Sequence, residues 1–175
     1  MQSLKIVVGC IAAAILYGIV HDQFTARICL EYFTVFHPPV FPTQSPTLLG
    51  IGWGIIATWW MGAFLGVLIA IAARAGSRPK LTAEALVRPI VGLLVMMATL
   101  AVLCGVLGFV LARNGSIQLP EYVAAEIPKH MYQRFMADWW AHNASYAGGF
   151  IGGIVLCATV YRKRVRLATG APVQG

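Results

Sequence analysis

Residues 50–70 read GIGWGIIATWWMGAFLGVLIA, a run with no acid, base or histidine. A helix of that length rises about 30 Å at roughly 1.5 Å per residue, the thickness of a bilayer's hydrocarbon core. Inside hydrocarbon the backbone must satisfy its own polar groups, so a lone run of this kind is a helix. Small residues recur at every fourth position: Gly50, Gly54, Thr58, Gly62, Gly66 and Ala70. A stripe of small side chains lets a second helix backbone approach closely, which drives association in lipid. Trp53 suits an interfacial belt, whereas Trp59 and Trp60 lie deeper, where space-filling is expected.

Three more apolar runs are long enough to span. The four lie at approximately 4–20 (extendable past His21), 48–73, 86–112 and 139–161. The whole chain is 59% hydrophobic and only 11% charged, with a mean hydropathy of +0.76. Soluble domains carry about 25% charged residues, so a soluble globule is excluded. Lys5 followed by an apolar run resembles a signal peptide, but the stretch before Cys10 is too short for a signal core. The segment reads as a retained helix. Cys10, Cys29, Cys104 and Cys157 form no paired-thiolate spacing, which argues against structural zinc or a disulfide framework.

The net charge of +7 follows topology and not nucleic-acid binding. Lys5, Arg74, Arg78, Lys80, Arg88, Arg162, Lys163, Arg164 and Arg166 fall on one side of the four spans. The positive-inside rule makes that side cytoplasmic. The expected fold is an all-α integral membrane protein of the inner membrane, multi-pass, with four transmembrane helices in one bundle and both termini cytoplasmic. It forms a single domain over residues 1–175, in which 162–175 is a basic cytoplasmic tail. Helices 1 and 4 extend on the outer side, the first to about residue 33. A first helix of that length must protrude, tilt or bend, Gly18 being a place for a bend, and a stiff outer loop through Pro38, Pro39, Pro42 and Pro46 is expected.

The same orientation sends all the histidines and most of the acids outward. The stretch HDQFTARICLEYFTVFH, residues 21–37, holds His21, Asp22, Arg27, Glu31 and His37. Along it Phe24, Ile28, Tyr32 and Val35 make an apolar stripe, with Arg27 and Glu31 four residues apart beside it. On the last span Asp138, His142, Ser145, Gly149 and Gly152 share a helix face, with Tyr146 at its margin. A second small-residue series, Ala101, Gly105, Gly108 and Ala112, marks the third span.

Imidazoles and carboxylates brought together from the first and fourth helices suit a divalent metal such as Fe, Zn or Mn. The candidate ligands are His21, Asp22, Glu31, His37, Asp138 and His142. The pattern lacks the paired Glu-x-x-His motifs of di-iron bundles. A plainer reading has these groups satisfy one another, Glu31 with Arg27 and Asp138 with His142 or Arg134. A third has His21 and His142 hold haem b. A proton-coupled carrier is disfavoured because the middles of the spans carry no acid, base or histidine, and no nucleotide or nucleophile motif occurs. His130 reads as a solvated loop residue. The expected partners are the lipid bilayer and a homo-oligomer or larger membrane complex joined through the glycine-rich helices. The alternative function is a structural or assembly subunit.

Overall fold

The computed structural model describes residues 1–170. The described residues are all-α, with four helical units long and apolar enough to cross a membrane. The first unit is α1 (Gln2–Ile28), followed by the short α2 (Leu30–Thr34). The second is split into α3 (Pro46–Ile56) and α4 (Trp59–Arg74). The third is α5 (Glu84–Arg113). After α6 (Glu121–Ala124) and a 3-10 turn (Lys129–Met131), α7 (Tyr132–Thr169) completes the bundle. Gln2 at the start of α1 and Arg164 near the end of α7 both bond the 75–83 connection, so these parts share one end of the molecule.

The glycine stripe of the second unit is where α1 packs. A Cβ on Gly54 would stand 2.6 Å from Ile19 Cα, and one on Gly62 would stand 2.8 Å from the Cys10 carbonyl oxygen. Backbone therefore lies directly on backbone, the arrangement that small residues in register permit. Gly50 continues the contact to the Asp22 backbone, at 3.0 Å. The stripe thus fixes the height and rotation of the α1 segment that carries His21 and Asp22. On the other side of the bundle α7 seats on α5. A Cβ on Gly105 would meet the Ala137 carbonyl at 3.2 Å, and one on Gly108 the Met136 carbonyl at 2.8 Å. These contacts place the face of α7 that holds Asp138 and His142.

Two helix breaks differ from the sequence expectation. The first helix does not run on to residue 33. It stops at Ile28 because Cys29 is extended (φ −143°, ψ 100°), and α2 starts afresh in a new direction. That turn folds Tyr32 and Phe33 into the core beside Phe135, under a lid formed by Leu119, Val123, Ile127 and Met131. The second span is interrupted at Ala57 and Thr58, where the Thr58 hydroxyl donates to the Gly54 carbonyl at 2.5 Å. Such i−4 back-bonding competes with the helix ladder and bends helices. Pro46 belongs to the first turn of α3, capped by the Ser45 side chain, and not to the loop.

The apolar stripe along residues 24–35 faces outward except at Tyr32. Phe24, Ile28 and Val35 are exposed, while Asp22, Thr25, Ala26 and Tyr32 are buried. In lipid the outward face is the apolar one, so the rule that apolar stripes face the core inverts. Trp53 is buried against His37 and Phe41, and it is Trp59 and Trp60 that are about half exposed.

The segment expected as a basic tail is helical to Thr169, and Arg164 within it is only 1% exposed. Its guanidinium donates to the carbonyls of Pro79, Ala72, Ala75 and Arg78 at 2.8, 2.9, 2.7 and 3.2 Å. These are the exposed C-terminal carbonyls of α4 and the turn after it, which a cation satisfies best. Residues 171–175 of the expected tail lie outside the described residues.

A candidate metal centre between the first and last helices

His21 and Asp22 lie on the last third of α1, and His142 on the facing surface of α7. The His21 and His142 rings touch edge to face, with centroids 4.6 Å apart. One ligand atom from each of His21, Asp22 and His142 lies within 4.8 Å of the other two. Asp22 and His142 are buried and His21 nearly so.

The tautomer of His142 follows from its neighbours. Its Nδ1 sits 2.8 Å from the Asp138 backbone carbonyl. A carbonyl only accepts, so Nδ1 carries the hydrogen and neutral His142 presents a lone pair at Nε2. That lone pair faces Asp22 Oδ1 at 3.3 Å. Two acceptors held at this distance in a buried place need a cation between them, either a proton or a metal ion. His21 Nε2 is buried too, with no hydrogen-bond partner. Ligands about 2.1 Å from one ion stand roughly 3.0–3.4 Å apart at ordinary coordination angles. The His142–Asp22 separation falls within that range. A carbonyl-bonded Nδ1–H is also the usual outer support of a metal-ligating histidine.

The surroundings are aromatic. Tyr32 stacks on the His142 ring at 4.5 Å, and His37 packs on Tyr32 at 4.9 Å and on Trp53 at 4.6 Å. His37 Nδ1 donates to the Tyr32 carbonyl at 2.6 Å. Burial lowers the His37 pKa; the Tyr32 carbonyl bond and Asp22 pull it up, and His142 pushes it further down. Burial likewise raises the Tyr32 hydroxyl, helped by Tyr146, Asp138 and Asp22. On the inner flank of the site Tyr17 and Ser145 share a hydrogen bond of 2.8 Å. A cavity of about 70 Å³ there is lined by Gly18, Thr58, Met61, Tyr146 and the three candidate ligands. The break in the second helical unit thus opens beside the site.

Of the six ligands expected from sequence, the structure brings His21, Asp22 and His142 together. His37 stands one ring away, behind Tyr32. Asp138 is 0% exposed, and its two carboxyl oxygens make no hydrogen bond of ordinary geometry, the Cys29 backbone N–H acting on them only weakly. Glu31 is turned aside by the break at Cys29, where its carboxylate accepts from the Cys29 thiol at 3.5 Å. The expected internal pairs do not form. Arg27 bonds Gln23 and Thr47 in place of Glu31, because Glu31 no longer sits one turn further along the same helix. Asp138 meets His142 through its backbone, not its carboxylate. His130 is exposed. With the His21 and His142 rings in contact there is no slot for a porphyrin between them, and haem b does not fit this geometry.

The sequence shows Tyr32 only as a member of an apolar stripe, and its place on His142 has no local signal. Arg164 was read as one charge in a basic tail. The spacing Leu156, Val160, Arg164 continues the buried face of α7 and was the available clue. No family model, curated protein or solved structure matches this chain.

Proposed function

We propose that the chain is a four-span inner-membrane protein that holds a divalent metal ion with His21, Asp22 and His142. Both termini are cytoplasmic in this reading, which rests on the asymmetry of basic residues. The site then lies toward the outer side of the membrane. The observation that carries the proposal is the lone pair of His142 Nε2, fixed by the Asp138 carbonyl and aimed at Asp22 Oδ1. Two imidazoles and one carboxylate suit Fe, Zn or Mn, and three protein ligands leave positions open for water or substrate. Ionisable groups are costly inside a membrane protein and mark function by default.

Metal content of the purified protein tests this. One ion per chain is expected, with loss in His142→Ala and Asp22→Asn and retention in His130→Ala. Metal-free protein that travels with a larger complex would instead support a structural or assembly subunit. The glycine stripes of α3, α4 and α5 are occupied by α1 and α7, so a partner or a second copy would dock on other faces.

A further inference from the structure

Beside the candidate metal centre, on the side away from α3 and α4, lies a cavity of about 460 Å³. It exists because α1 leans on α3 and α4 while α5 leans on α7, leaving α1 and α5 almost without contact. Its walls are Val20, Phe24 and Ile28 of α1 and Val102, Val106 and Phe109 of α5. Phe24, Val102 and Val106 are exposed, so the cleft opens sideways to the apolar surroundings of the bundle. Its size falls in the range of small-molecule sites.

An apolar groove in a membrane protein can simply hold acyl chains, but this one has a polar end. His21 and Asp138 line it, and the only buried side-chain polar atoms without a partner among the described residues are His21 Nε2 and the two Asp138 carboxylate oxygens. Buried acceptors left unmet are costly, and a donor supplied by a ligand would remove that cost. The remaining polar groups of the lining are already engaged. Tyr17 pairs with Ser145, and Thr25 donates to the His21 carbonyl at 3.2 Å. The lining carries no lysine or arginine, which selects against a carboxylate or phosphate head group.

We infer that this cleft binds a lipid-soluble molecule with an apolar chain and a neutral hydroxyl head, the hydroxyl bonding the Asp138 carboxyl group. The chain lies between α1 and α5 and the head meets Asp138. The inference goes beyond the metal assignment and stands without it, since the cleft and the unmet acceptors do not depend on an ion.

The test is photolabelling of the full chain in lipid nanodiscs. The probe is a twelve-carbon alcohol carrying a diazirine in its chain, and its comparison is the matched carboxylic acid. The alcohol is expected to label residues 20–28 and 102–109 saturably, in competition with unlabelled dodecanol, and at least tenfold more than the acid. Val102→Trp, a change at the lipid-exposed rim that leaves the core packing alone, should abolish the labelling. Asp138→Ala should reduce it several-fold. Equal labelling by both head groups, labelling that does not saturate, or labelling unchanged in Val102→Trp or Asp138→Ala would overturn the inference and leave acyl-chain filling only. Metal content measured on the same samples separates the two readings: labelled protein without metal removes the metal assignment alone, and metal-loaded protein without saturable labelling removes the cleft assignment alone.

Discussion

Replacing Gly54 by alanine should disturb the metal centre from across a helix interface. The added methyl would stand 2.6 Å from Ile19 Cα and 2.7 Å from the Gly18 carbonyl carbon. Carbon atoms settle about 3.5 Å or more apart, so α1 must retreat by roughly 0.9 Å at this height. The atoms met are backbone, and no side-chain rotation relieves the clash. Overpacking of this kind costs about 1–3 kcal/mol. The retreat shifts Asp22, one helical turn further on, relative to His142. The 3.3 Å separation, which suits two ligands of one ion, would not be kept. Metal affinity should fall by about 10–100-fold, the loss typical when the supports of a metal ligand are displaced. Gly66→Ala is the control, because its methyl would meet Cys10 Cβ at 2.9 Å, near the other end of α1. Thermal unfolding in detergent and metal titration of both variants are the assays. Both should lose stability, and only Gly54→Ala should lose metal affinity. Wild-type affinity in a destabilised Gly54→Ala protein would refute the link between the glycine stripe and the site.

Arg164→Met should destabilise the end of the bundle that holds the 75–83 connection. It leaves buried carbonyls without a donor at about 1–3 kcal/mol for each that water does not reach. Proteolysis of that connection should accelerate, and Arg164→Lys, with fewer fixed donors, should fall between. Protein stability should decline as pH drops below the ordinary His37 value of 6.5, because burial lowers the folded pKa. The unfolded chain then binds a proton that the native state refuses, so stability is lost from that point down to the folded pKa. His37→Gln should flatten this part of a stability-against-pH curve, and an unchanged slope would show that His37 is not the group responsible. Metal release should also rise in acid, since imidazole ligates only when neutral. Chelator-induced release followed between neutral and mildly acidic pH checks this, and pH-independent release would count against histidine ligation.

The four long apolar helices were legible because hydrophobicity alone picks out segments able to cross a bilayer, although α7 runs past the expected 139–161 at both ends. The meeting of His21 with His142 was legible for a different reason. Ionisable residues are rare in this chain and gather beside two helices, and burying them is economical only if they face each other. The breaks at Cys29 and at Ala57–Thr58 were not legible. Neither holds a proline or glycine; one rests on the extended backbone of Cys29 and the other on the Thr58 hydroxyl bonding the Gly54 carbonyl. Glu31 was assigned by helix spacing that the Cys29 break cancels, and the same break brings Tyr32 onto His142. The direction in which Phe24 and Ile28 face was not legible, because a period of 3.6 marks a face without saying whether lipid or protein meets it. Arg164 was hidden among identical neighbours, since the partners that bury it are backbone carbonyls more than eighty residues away.

X-ray absorption at the edge of whichever metal accompanies the purified protein tests the central assignment most directly. A first shell of nitrogen and oxygen at about 2.0–2.2 Å is expected, with imidazole scattering from two histidines that halves in His21→Ala and vanishes with the metal in His142→Ala. A sulfur shell, an all-oxygen hydrated ion, or an unchanged spectrum in either variant would contradict it.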